Sequence, residues 1–281
     1  MAELSAAPGA AARLRPPLRR SISASRHYCL PSAQYIDEVI AQTEIPRVAR
    51  SAPWHRWPSQ CAVCHGWGAG RICGRCARRF ADPVDRCRRC AARVVAGIAL
   101  CGRCVRSPPS FESAIAAVDY SHPWDRLIGD FKYRGGLDLG RALCDLLMAA
   151  HQRHAADTPD WLLPVPLGAQ RLRERGYNQS WVLARLCSRR LGCRTDASML
   201  LRIRETPHQL SLPRERRLAN VRGAFAIEPT RRAELIGRRI ALIDDVMTTQ
   251  ATADELSRAL LVAGAQSVQV WVVARTPPPE H

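Results

Sequence analysis

From Ser113 onward the apolar positions fall into two alternating kinds of run. Short, nearly unbroken stretches predict buried strands: "SAIAAVDYS" (113–121), "WLLPVPL" (161–167), "GRRIALIDDVMTTQAT" (237–252, apolar over 240–243) and "SVQVWVVARTP" (267–277). Segments with apolar residues three and four apart predict helices: "PWDRLIGDFKY" (123–133), "LDLGRALCDLLMAAHQRH" (137–154), a long one running through "NQSWVLARLCSRRLG" to Gly192, and "TADELSRALLVAGA" (252–265), ended by Gly264. Strand, helix and strand at these lengths make βαβ units. The expected fold is therefore α/β, with a doubly wound, mostly parallel sheet over residues 112–277.

The pattern is absent upstream. Residues 1–60 are rich in Ala, Ser, Arg and Pro and read as a loosely ordered extension, with one short helix at 32–42. "RSPPSF" (106–111) reads as a linker. Residues 61–105 hold too few large apolar side chains to fold on burial alone. No run of eighteen apolar residues is present, so no membrane span is expected. The opening also lacks the apolar core of a secretory signal, which predicts a reducing, cytoplasmic location.

Cysteine placement explains how the segment 61–105 folds. Eight of the twelve cysteines form four C-x-x-C pairs, Cys61/Cys64, Cys73/Cys76, Cys87/Cys90 and Cys101/Cys104. Each pair is a knuckle offering two thiolates, and four thiolates close a tetrahedral structural zinc site. Four pairs suit two Zn²⁺ ions, on the order of 10 kcal/mol of folding free energy each. The spacing favours sequential sites (61/64/73/76 and 87/90/101/104), with an interleaved cross-brace of the same residues as the alternative. Redox dithiols and rubredoxin-like iron use the same knuckle, but four tandem pairs outside a thioredoxin-like context favour zinc.

Charge adds a partner class. The formal net charge is +17, and Lys132 is the only lysine among 42 basic residues, all others being arginine. Such a balance favours polyanions: nucleic acid, phosphorylated metabolites or anionic lipid. Nine arginines face two aspartates over 61–104, so the cysteine segment reads either as a ribbon gripping phosphate backbones or as an adaptor fixed to the main domain.

The most informative stretch is 240–252. An apolar strand ends in Asp244 and Asp245, then Thr248, Thr249, Gln250, Ala251 and Thr252 open a helix. Ligands of open α/β sheets bind at the carboxyl ends of strands. A helix N-terminus offers free N–H groups and a positive dipole end to phosphate, and carboxylates there can accept from a ribose hydroxyl pair.

This stretch resembles the motif by which type I phosphoribosyltransferases bind 5-phosphoribosyl 1-diphosphate (PRPP). That loop usually reads T-T-G-x-T; here Gln250 replaces the glycine, which permits φ > 0 and close backbone approach. "FKYRGGLDLGRALCDLL" (131–147), "LLPVPLGAQRLRERGYNQSWVLA" (162–184) and "RIRETPHQLSLPRERRLANVRGAF" (202–225) precede it in that order. With the four knuckles, the chain over about 60–277 resembles the ComF family, a double zinc ribbon followed by a type I phosphoribosyltransferase-like domain.

The resemblance implies a PRPP site with Mg²⁺ carried on the PRPP. Asp244 and Asp245 would hold the ribose and favour its developing charge, and residues 248–252 would hold the 5′-phosphate. Arg171, Arg173 and Arg175 would neutralise pyrophosphate, with Asn178 and Gln179 bonding phosphate oxygens or capping the next helix. Residues 204–225 would form a mobile flap whose Thr206, Gln209, Arg214, Arg217 and Asn220 match the family's polar positions. The family's association with DNA uptake and utilisation implies single-stranded DNA and the competence machinery as partners. Three functions follow: a phosphoribosyltransferase or PRPP hydrolase, a non-catalytic nucleic-acid-binding factor using the fold as scaffold, and a sensor that binds PRPP without turnover.

Overall fold

The computed structural model describes residues 58–154, 157–204 and 221–277. The helix expected at 32–42 and the flap positions Thr206, Gln209, Arg214, Arg217 and Asn220 lie outside these.

The cysteine segment is built twice over. Strands β1 (Ser59–Gln60) and β2 (Trp67–Gly68) pair antiparallel around the first knuckle, and Arg86 bridges Arg93 in the same sense around the third. Cys61 N–H donates to Gly66 O at 2.9 Å, and Cys87 N–H to Ala92 O at 2.8 Å. His65 and Ala91, each four residues after the leading cysteine, both adopt positive φ, 59° and 54°. Helix α1 (Gly74–Phe80) starts at Cys73, and α2 (Gly102–Arg106) starts at Cys101. The halves thus share a backbone path with little sequence in common beyond their cysteines. The first hairpin begins at Ser59, inside the stretch read as loosely ordered.

The main sheet has four strands: β3 (Ser113–Asp119), β4 (Trp161–Pro164), β7 (Arg239–Met247) and β8 (Ser267–Arg275), in the order β3-β8-β7-β4. All three pairings are parallel. The last strand sits inside the sheet because its residues are apolar on both faces. Val268, Val270 and Val272 join one core, and Trp271 and Val273 the other. One face carries α3 (Trp124–Tyr133), α4 (Leu139–His154) and α6 (Gln179–Leu191) over Leu127, Ile128, Phe131, Leu143 and Leu147. The other carries α7 (Ala251–Val262), a 3₁₀ turn at Pro229–Leu235 and a hairpin of β5 (Leu200–Arg202) with β6 (Phe225–Ile227). This doubly wound parallel sheet with a cysteine-rich module at its amino side is the architecture expected from the hydrophobic pattern.

The helix expected up to Gly192 is α6, capped by Asn178; a left-handed turn at Gly176 (φ 76°) precedes it and ends a short helix, α5 (Ala169–Arg175). A glycine at that position permits the reversal at no steric cost. The segment 106–111 is not a free linker. Phe111 is fully buried in the α7-side core, and Ser110 N–H donates to the Asp254 carboxylate. A large aromatic side chain with nowhere wet to go anchors the connection.

The two ribbon halves dock on different cores. Ala62, Val63, Ile72 and Phe80 of the first pack on the α3–α4–α6 side, while Ala91 of the second is buried in the α7-side core.

Candidate functional site

The eight knuckle cysteines gather as Cys61/Cys64/Cys73/Cys76 and Cys87/Cys90/Cys101/Cys104, each set with its Sγ atoms within 4.8 Å of one another. The cysteines therefore group sequentially and do not interleave. A tetrahedron with Zn–S bonds of about 2.3 Å has sulfur–sulfur edges of about 3.8 Å. Cys64 and Cys73 stand at 3.8 Å, and Cys90 and Cys101 at 3.7 Å. N–H donors already point at sulfur: Cys73 N to Cys61 Sγ at 3.4 Å, and Cys101 N to Cys87 Sγ at 3.3 Å. Burial alone would raise the Cys61 thiol, but the N–H groups of Cys73, Cys64 and Val63 outweigh it and bring it down to about 6. Cys87 comes down to about 7 against burial by the same means, from the N–H groups of Cys101, Cys90 and Arg89. Donor set, edge lengths and thiolate-favouring N–H bonds fit two structural zinc ions.

The second constellation lies at the carboxyl end of β7. Asp244 Oδ1 accepts from the Ser180 hydroxyl at 2.8 Å and from Asp245 N–H at 2.8 Å. Asp245 is 3% exposed, and its Oδ1 meets Lys132 Nζ at 2.9 Å. Its Oδ2 is buried with no partner among the described residues. Burial and the adjacent Asp245 charge raise Asp244 to about 7, against the pull of Lys132, the Asp245 N–H and Ser180. Burial pulls the Lys132 ammonium down, yet Asp245 and Asp244 outweigh that and hold it above its ordinary value.

The loop follows directly. Thr248 is exposed and Thr249 half-buried, and Gln250 turns left-handed at φ 71°, ψ −8°, as the N-cap of α7. The non-glycine residue thus adopts the conformation for which glycine is the usual choice. Gln250 is buried, and its Nε2 has no partner among the described residues. Ala251 is buried and Thr252 half-buried in the first turn of the helix.

The loop after β4 is tied to the same region. Arg175 donates to Gln179 Oε1 at 3.1 Å and to the Tyr133 hydroxyl at 3.2 Å, with its guanidinium over the Tyr133 ring. Asn178 caps α6: its Oδ1 accepts from Ser180 N–H at 2.9 Å and its amide donates to Val165 O at 3.0 Å. Gln179 is buried. Asn178 thus serves the helix start and sets Ser180 against Asp244, while Gln179 Oε1 holds Arg175. Arg171 is half-buried and Arg173 exposed, and neither pairs with an acid among the described residues. Tyr177 donates to Phe131 O, tying this loop to the residue before Lys132.

Lys132 and Ser180 are the residues that sequence reasoning missed. Lys132 had a signal, being the sole lysine in a chain that otherwise uses arginine. Ser180 had none.

Comparison with known proteins places the chain. The DNA utilization protein YhgH of Salmonella typhimurium is 32% identical over 229 residues, 78% of this chain and 98% of that protein. Competence protein F of Haemophilus influenzae is 33% identical over 175 residues, 61% of this chain and 76% of its own. The chain belongs to the ComF family. Within that family, competence protein ComFC of Bacillus subtilis is 28% identical over 158 residues, 56% of this chain and 62% of its own length. No family model matches the chain. Among solved structures, the glutamine PRPP amidotransferase of B. subtilis complexed with ADP and GMP aligns over 50% of this chain and 26% of its own, at 20% identity and a TM-score of 0.31. A likeness that slight carries no argument.

Proposed function

We propose that this ComF-family protein binds PRPP, with Mg²⁺ travelling on the diphosphate, at the carboxyl end of β7. The observation that carries this is a pair of buried, unpartnered polar atoms at the two ends of one loop, Asp245 Oδ2 and Gln250 Nε2. One is an acceptor lacking a donor, the other a donor lacking an acceptor. A ribose hydroxyl suits the first and a phosphate oxygen the second. Leaving both unmade costs about 1–3 kcal/mol each, which a ligand bridging the loop removes. Thr248, Thr249, Thr252 and the free N–H groups of the first α7 turn complete a phosphate cradle.

In transfer, the C1–oxygen bond to pyrophosphate breaks with its electron pair leaving on the pyrophosphate. An acceptor's lone pair then forms the new bond to C1. Asp244 and Asp245 stabilise the positive charge on the ribose, and Arg171, Arg173 and Arg175 the charge on the leaving group. The names of the relatives, a DNA utilization protein and two competence proteins, support a role in DNA uptake and utilisation, for which the proposed partners are single-stranded DNA and the competence machinery.

Calorimetry of Mg²⁺-PRPP on zinc-replete protein, beside Asp244→Asn/Asp245→Asn, tests the reading. Micromolar binding abolished in the variant is the expected result, and pyrophosphate release then separates transferase from sensor. No binding at millimolar PRPP by folded protein would overturn it. The scaffold alternative, in which the arginine-rich ribbon grips DNA, requires steeply salt-dependent binding of single-stranded DNA that is lost with the zinc.

A further inference from the structure

Arg275 closes β8 and is 6% exposed, yet no acid pairs with it among the described residues. Its guanidinium donates to four backbone carbonyls instead. Nε reaches Cys90 O at 3.0 Å, and Nη1 reaches Met247 O at 2.9 Å, Thr248 O at 2.7 Å and Thr276 O at 2.9 Å. Cys90 belongs to the second cysteine cluster, and Met247 and Thr248 lead into the loop that ends at Gln250. One buried side chain therefore spans both.

A buried cation without a countercharge is costly. A four-thiolate site holding a divalent ion would carry a net −2, and Arg275 is hydrogen-bonded to the backbone carbonyl of Cys90, one of the four cysteines of that site. Two further links run the same way. Arg103, between the ligands Cys101 and Cys104, donates to Thr249 O at 3.5 Å. Ser110, just beyond α2, donates to Asp254 in the first turns of α7. The first cluster is wired elsewhere: Trp124 Nε1 of α3 donates to Phe80 O at 2.7 Å, and Arg71 pairs with Asp138 at 2.7 Å. No hydrogen bond joins residues 58–81 to residues 247–254 among the described residues.

We propose that Arg275 is a positioning residue that couples metal occupancy of the second cluster, and not of the first, to the shape of the loop 247–252. The zinc ions then have separate duties: one braces α3, the other sets the loop. The consequence for PRPP affinity rests on the function proposed above; the coupling itself does not.

Hydrogen exchange over 247–253, read without ligand and beside zinc content per chain, tests it. Arg275→Lys keeps the charge but not the fork to Cys90 O and Thr248 O, so loop exchange should quicken about ten-fold, the equivalent of ~1.4 kcal/mol. Cys101→Ser/Cys104→Ser, with one zinc left, should do the same, and Cys73→Ser/Cys76→Ser should leave the loop at the wild-type rate. Mg²⁺-PRPP affinity should fall about ten-fold in the first two. Folded Arg275→Lys protein with unchanged loop exchange overturns the coupling. So does equal quickening on loss of the first cluster. Loop exchange that follows the second cluster in a protein blind to PRPP would retain the coupling and overturn only the proposed function.

Discussion

Asp244→Asn should stabilise the fold while removing the function. The wild-type carboxyl sits in a place that disfavours its charge, raised from 3.8 to about 7 by burial and by Asp245. A group whose folded pKa lies above its unfolded one contributes stability that is complete below the unfolded pKa and is lost as pH rises through the folded one. The loss thus runs from about pH 4 to pH 7 and is flat above. At about 1.4 kcal/mol per unit, the raised pKa corresponds to at most about 4 kcal/mol. Asparagine keeps an Oδ1 that accepts from Ser180 and from Asp245 N–H, the two bonds Asp244 makes, but carries no charge at any pH. Urea unfolding of both proteins from pH 5.5 to 9, in saturating zinc, measures the difference while the contribution of the clusters cancels. The advantage of the variant should roughly double between pH 5.5 and 8 and then level. A constant offset across that range, or a variant less stable at pH 8, would refute the reasoning. Added PRPP should reverse the order, stabilising only the wild type.

Three further outcomes follow from the same geometry. Lys132→Met leaves Asp245 buried without its cation and should cost about 3–5 kcal/mol in urea unfolding, most of it recovered in Lys132→Met/Asp245→Asn; additive losses would show that the pair is not coupled. Gln250→Gly relieves a left-handed non-glycine residue and should raise stability by about 1 kcal/mol by thermal unfolding, while weakening PRPP binding through loss of the amide donor. Elemental analysis of purified protein should give two zinc ions per chain. Stepwise chelation should also release α1, changing the environment of Trp124, whose indole is bonded to Phe80 O; a metal-free protein with unaltered Trp124 fluorescence in a background lacking the other tryptophans would contradict this.

Much of this protein was legible in its sequence, because its signals are local. Runs such as "IALI" and "VWVV" leave a strand no polar face, so a parallel sheet covered on both sides follows from composition. Four knuckles in about 45 residues that cannot otherwise build a core call for metal. Two acids before a hydroxyl-rich helix start are legible at the carboxyl end of β7, where the site is proposed. The rest depended on distant residues meeting. Whether the knuckles pair sequentially or interleave depends on how the hairpins fold back, and spacing allows both. Asn178 looks the same in sequence whether it faces phosphate or caps a helix, and only the fold shows its side chain bonded at the start of α6. Lys132 was visible as an oddity, but only the packing of α3 beside β7 brings it to Asp245. Arg275 resembled any charged residue ending an apolar strand. Its meaning comes from the order β3-β8-β7-β4, which sets the end of β8 beside the loop on one side and Cys90 on the other. Hydrophobic periodicity acts over a few residues and is written in the chain. A buried charge takes its role from neighbours that can lie 185 residues away, as Cys90 does from Arg275, and only the folded arrangement supplies them.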